Sequence, residues 1–199
     1  MPSREEITRH HEAPSDDDVW VRGRPDPEPI HVVDHDPEWA VWFFQVAALV
    51  RSALGDRVKD IEHVGSTAVL GLPAKPIIDV DLTVDDPADE DSYVPDLEAR
   101  GFVLTVREPL WHEHRLLTLA SPAANLHVFG PDCPELVRHR MFRDHLASHP
   151  EDLALYRDAK LAAAAATTEE GGIVMDYNRR KEPVIRRIYD RIFAEHGLL

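Results

Sequence analysis

Two aspartates, Asp79 and Asp81, alternate with Ile78, Val80, Leu82 and Val84 in the run PIIDVDLTV, and the pair Gly65-Ser66 stands a short way upstream in HVGSTAVLGLPAKPIIDVDLTV. Aspartate is disfavoured inside strands, and a buried carboxylate is costly unless something neutralises it. The strand period of two sends Ile78, Val80, Leu82 and Val84 to one face and Ile77, Asp79, Asp81 and Thr83 to the other. Carboxylates two residues apart start roughly 6.5–7 Å apart, which lets both reach one Mg²⁺ or Mn²⁺ ion or bracket two. The plainer alternative is the polar side of a half-exposed strand. Gly65 can take a positive φ, while Ser66 and Thr67 offer hydroxyl and amide donors suited to the terminal phosphates of a nucleotide.

Several further side chains have the right chemistry for such a pocket. Lys75 lies just before the aspartate strand and Arg115 follows the run EPLWHEH; each can hold a phosphate, the guanidinium in a bidentate way. His112 and His114 stand at strand spacing. With His127 they suit a three-histidine Zn²⁺ site with an open water position, or simply a hydrogen-bonded polar face. His63 is placed to buttress the Gly-Ser turn. The C-terminal run DYNRRK either contributes to an anion pocket or belongs to a solvated amphipathic helix. Cys133 sits at a helix start with no catalytic partner in the sequence and reads as structural.

The elements that must position these residues are legible from periodicity and punctuation. Strands are expected over Val58–His63, Ile77–Val84, Phe102–Arg107, Arg115–Leu119 and Asn125–Phe129, with a short one at Ile30–Val33. A helix capped by Asp36 and Pro37 carries Trp39, Trp42, Phe43, Val46 and Val50 at helical spacing and stops at Gly55. A second helix is expected from Asp86 and Pro87 to Gly101, limited or kinked by Pro95. Three more fill the end of the chain, one opened by the capping box Ser148-x-x-Glu151. Residues 1–29, rich in Pro and charge, are expected to form a mobile tail or a surface strap, and residues 30–199 a single α/β (α+β) domain with a small mixed sheet and a helical C-terminal third.

Composition narrows the partners. The 199 residues carry a formal net charge of −15, which weighs against generic nucleic-acid or anionic-membrane binding. Residues 30–110 hold 16 acidic and 6 basic side chains, against 13 and 12 in residues 111–199, so the acidic excess surrounds the aspartate pair. One cysteine excludes an intrachain disulfide. With no apolar leader in MPSREEITRHHEAPSDDD, a cytoplasmic location is expected.

The blocks IEHVGSTAVLGLPAKPIIDVDLTV, HEHR, NLHVFGPDCPELVRHRMFRDHLASHPEDLALYRDAK and DYNRRKEPVIRRIYDRIF together resemble the GrpB family from about residue 30 onward. The resemblance implies a minimal nucleotidyltransferase fold of the polymerase beta-like superfamily, found alone or fused to dephospho-CoA kinase. It implies metal on Asp79 and Asp81 and phosphates on Gly65, Ser66 and Thr67. Active members of that superfamily place a third carboxylate on a neighbouring strand. The comparable strand here, NLHVF, offers Asn125 and His127 on one face, and His127 is the available base. Three functions follow as expectations: Mg²⁺-dependent transfer of a nucleotidyl group from an NTP to an unidentified small acceptor; a non-catalytic module binding a nucleotide or CoA-like ligand; and, third, a metal-dependent hydrolase built on the histidines.

Overall fold

A computed structural model describes residues 1–11 and 19–199. Five strands form one mixed sheet: β1 (Asp60–Val64), β2 (Ile78–Thr83), β3 (Val103–Glu108), β4 (His114–Ala120) and β5 (Ala123–Phe129), in the spatial order β1-β2-β5-β4-β3. β2 runs parallel to β5 and the other neighbouring pairs are antiparallel. Each strand lies within one or two residues of its expected place.

The two faces of the sheet are covered differently. Against one face packs α2 (Glu38–Leu54), started by Asp36, whose Oδ1 accepts from the Glu38 amide at 2.9 Å, and ended at Gly55 with φ 56°. Trp39, Val46, Val50 and Leu54 meet Ile78, Val80, Leu82, Leu126 and Val128 in the main core, joined by the short α3 (Val94–Glu98). The other face looks toward a bundle of α4 (Pro134–Ser148), α5 (Pro150–Glu169) and α6 (Val174–Glu195). These helices pack on one another through a second core of Leu146, Tyr156, Ile188, Ile192 and Phe193, to which Val69 and Leu72 contribute. Separate cores leave room between bundle and sheet for a cleft.

Three local expectations are corrected. Ile30–Val33 makes a single bridge, Val33 to Ala74, rather than a strand. The helix expected from Asp86 to Gly101 is a 3₁₀ turn at Glu90–Ser92 followed by α3, because Pro95 has no amide to donate and is tolerated only in the first helical turn. Ser148 does not cap α5; it ends α4, its hydroxyl turned back on the carbonyls of Asp144 and His145, and His149 occupies the cap position.

The N-terminal segment lies along the surface. α1 (Arg4–Thr8) is held to α4 by Arg138, which donates to the carbonyls of Ile7 and Arg9 at 2.7 and 2.9 Å. After residues 12–18, Trp20 bridges to Val106 at the β3 edge, and Ile30 donates its amide to the Thr168 hydroxyl.

Candidate functional site

A cleft of about 1030 Å³ opens between the second face of the sheet and the bundle, with residues 25–31 of the strap at its rim. On its strand wall stand Asp79, Asn125 and His127; on its helical wall stand His139, Lys160, Tyr177 and Lys181; Gly65, Ser66, Thr67 and Lys75 complete it. Register explains the strand wall. β2 and β5 pair Asp79 with Asn125 and Asp81 with His127, so all four side chains share one face.

Asp79 sits at the centre. It accepts from Asn125 Nδ2 at 2.9 Å and lies 3.8 Å from His127 Nε2. Burial pushes its acidity constant up, but His127, Asn125 and Lys75 outweigh that and hold it at about 2. Gly65 lies directly against it. With φ +70°, a Cβ there would collide with Asp79 Oδ2 and come within 2.9 Å of Asp79 Cβ, so glycine is required by both backbone and contact. His63 supports the turn: its Nε2 is 2.9 Å from the buried Thr67 hydroxyl and its ring stacks on Phe43. Burial brings His63 down to about 4, so it is neutral in this role.

Asp81 is treated differently. It is 3% exposed, and both its oxygens face His139 Nδ1, at 2.9 and 3.2 Å. Burial lowers the His139 constant, yet the Asp81 charge and hydrogen bond, with Glu135 behind, raise it to about 9. An imidazolium thus occupies the side of Asp81 from which a cation would be bound. In this arrangement, with His139 on Asp81, Asp79 and Asp81 do not make an open two-carboxylate metal site.

The histidines divide. His114 Nδ1 lies 2.6 Å from Glu108 and its Nε2 3.1 Å from His127 Nδ1, giving a chain Glu108–His114–His127–Asp79 that reaches into the cleft. Burial lowers His114 to about 4. His112 is not part of it. It lies in the turn between β3 and β4 with φ 56° and faces His11 and Glu135, so the three-histidine zinc set is not assembled and the hydrolase reading loses its ligands. Arg115 is also misplaced by the sequence reading. Adjacent strand residues face opposite ways; His114 looks into the cleft, so Arg115 looks away, donating from Nε to Glu90 at 2.6 Å on the far face.

Besides Lys75, which precedes β2, the cations of the cleft come from the bundle. Lys160 is 2% exposed and Lys181 9%, and with Lys75 they surround the rings of Tyr156 and Tyr177. None of the three forms an ion pair with a described residue. Burial and then repulsion from Lys181 carry Lys160 well below an ordinary lysine; burial and then repulsion from Lys75 bring Lys181 to about 7, against the pull of Asp79. Lys75 is lowered by burial as well. Lys181 and Tyr177 belong to the run DYNRRK, whereas Lys160 and His139 were missed. Lys160 does leave a trace in the sequence: it is four residues from Tyr156 on the buried stripe of α5 that continues to Ala163, Ala164 and Thr167. Cys133, buried at the start of α4 and raised by that burial to about 11, is an inert thiol.

The family model for "GrpB protein" matches residues 29–191. The chain is 41% identical over 165 residues to a UPF0157 protein of Halalkalibacterium halodurans, covering 83% of each. It is 35% identical to a UPF0157 protein of Streptomyces coelicolor, covering 88% of this chain and 91% of that one. A dephospho-CoA kinase of Mycolicibacterium paratuberculosis is 30% identical over 82% of this chain but only 46% of its own length. The crystal structure of the conserved protein GrpB from Enterococcus faecalis superposes with a TM-score of 0.72 over 84% of this chain and 99% of that chain, at 24% identity, and so shares the fold. Among the described residues no helix is long and apolar enough to cross a membrane. By sequence over most of its length and by fold, the chain belongs to the GrpB family.

Proposed function

We propose that the cleft binds a phosphorylated small molecule of nucleotide or CoA type, with its phosphates on Lys75, Lys160 and Lys181. The observation that carries this reading is Lys160, a nearly fully buried lysine with no ion-paired carboxylate among the described residues, beside two further lysines. Such a group is costly in the free protein. A polyphosphate supplies the missing charge, and each charge-assisted contact is worth roughly 1.5–3 kcal/mol. Tyr177 and Asn178 line the same wall and offer a ring and an amide to the rest of the ligand. That relatives include a protein named dephospho-CoA kinase makes CoA and dephospho-CoA natural ligands to try beside the NTPs.

The test is calorimetry of the purified protein with ATP, GTP, CTP, UTP, CoA, dephospho-CoA and inorganic triphosphate at low salt. At least one should bind, and Lys160→Met should weaken it about tenfold or more, the equivalent of about 1.4 kcal/mol. Binding by none of them, or unchanged binding in Lys160→Met, refutes the reading.

A second reading, Mg²⁺-dependent nucleotidyl transfer to a small acceptor, is favoured by Asp79 and Asp81 on one face beside the Gly65-Ser66 turn, with His127 placed to take a proton. It requires His139 to release Asp81. Pyrophosphate release from labelled NTPs with Mn²⁺ and a metabolite extract, lost in Asp79→Asn, would establish it; ligand binding without turnover leaves the binding module.

A further inference from the structure

Away from the cleft, His11, His112 and Glu135 bring three metal-ligating atoms within 4.8 Å of one another. They come from three parts of the fold: the segment just after α1, the β3–β4 turn and the first turn of α4. The rings of His11 and His112 meet edge to face at 5.2 Å. His112 Nε2 is shielded from solvent and has no hydrogen-bond partner, an unusual state for an imidazole nitrogen beside a carboxylate. We propose that these three residues hold a divalent transition metal, Zn²⁺ fitting best, which clasps the N-terminal segment to the α/β domain.

The chemistry selects the ion. Two imidazoles and one carboxylate suit Zn²⁺, whereas Mg²⁺ and Ca²⁺ prefer oxygen donors. Zinc ligands lie about 2.0–2.2 Å from the metal, so donor atoms must close to about 3.3–3.5 Å of one another, a change within reach of side-chain torsions. The backbone is already anchored around the group. Arg186 donates to the His11 carbonyl at 3.0 Å, and Arg138 holds the Ile7 and Arg9 carbonyls. Arg138 brings a positive charge close to the group, yet that charge is committed: its Nε faces Glu135 Oε1 at 3.1 Å and its guanidinium stacks on Tyr189 at 4.3 Å. Glu135 Oε2 is 3.9 Å from His139 Nε2, an ion pair too long to satisfy it. The fourth coordination position falls to water.

Purified, tag-free protein is stripped with a chelator and titrated with Zn²⁺ by calorimetry and by thermal melting. Wild type should bind one equivalent at this group and melt higher with Zn²⁺. His11→Ala and His112→Ala, each checked for native folding by circular dichroism, should lose that equivalent and the thermal shift. His149→Ala, which breaks a second histidine group formed with His145 and Glu195, should keep both. Zn²⁺ binding that survives in His11→Ala and His112→Ala, or disappears only in His149→Ala, overturns the assignment, as does a wild type that binds none.

Discussion

The two faces of β2 differ sharply. On one, Ile78, Val80 and Leu82 are each 0% exposed and meet only apolar side chains of α2 and the neighbouring strands. On the other, one residue away along the same backbone, Asp79 and Asp81 face histidines, an asparagine and lysines. The apolar face is satisfied within the chain. The polar face is only partly so: Asp81 has His139 and Asp79 has Asn125, but Lys160 and Lys181 feel Asp79 only at a distance and form no ion pair with a described residue. A strand built this way fixes charged groups rigidly because its other side is packed solid, and the unmet positive charge is where a ligand belongs.

The largest expected effect breaks the apolar side. Leu82→Ala should lower the unfolding free energy by about 2–5 kcal/mol, read from urea melts, while leaving anion binding by the remaining folded fraction unchanged. A loss under 1 kcal/mol would mean that this face is not the rigid support described.

Next in size is His139→Leu, which strips buried Asp81 of its one ion-pair partner among the described residues and should cost about 3 kcal/mol. The pH dependence identifies the cause. The folded constant of His139, about 9, lies above its ordinary 6.5, so its stabilisation is full below about pH 6.5 and is lost as pH rises through about 9. The decline is read as the stability difference between wild type and His139→Gln; a difference that stays level from pH 6.5 to 9 would remove the ion pair from the account.

Gly65→Ala should cost about 1–3 kcal/mol, since a side chain there both strains a φ of +70° and strikes Asp79. Paired with Asp79→Ala, which removes the obstructing carboxylate, part of the loss should return in a double-mutant cycle. Additive losses would locate the penalty in the backbone alone.

The smallest effects sharpen the polar side. Lys160→Met replaces a buried lysine with no ion-pair partner among the described residues by an apolar chain of similar length, so it should raise stability by about 1 kcal/mol while weakening phosphate binding about tenfold or more. Lys181, at about 7 rather than the ordinary 10.5, destabilises the free protein fully below about pH 7, and that penalty is relieved as pH rises toward 10.5. The stability difference between Lys181→Met and wild type should therefore shrink between about pH 7 and 10.5, whereas anion affinity should fall as pH passes through 7 and the ammonium is lost. An affinity that stays level through pH 7 while the stability difference shrinks would exclude Lys181 from the phosphate subsite.

Part of this arrangement is a property of local sequence. Period-two alternation puts Asp79 and Asp81 on one face of β2 and Asn125 and His127 on one face of β5, and the Asp36-Pro37 start and Gly55 stop delimit α2, because strand and helix periodicity and backbone freedom depend only on near neighbours. The same rule, carried through, would have parted Arg115 from His114. What no local pattern contains is distance between elements. That Lys160 and Lys181, far apart on α5 and α6, reach the same cleft as Asp79, that His139 closes on Asp81, and that His112 turns to His11 rather than to His127 are decided by how the helical bundle docks on the sheet. The sequence by itself determined which side chains share a strand face and where helices begin and end; only the tertiary structure decided which charges meet, because electrostatic pairing acts through space between segments that the chain order leaves unrelated.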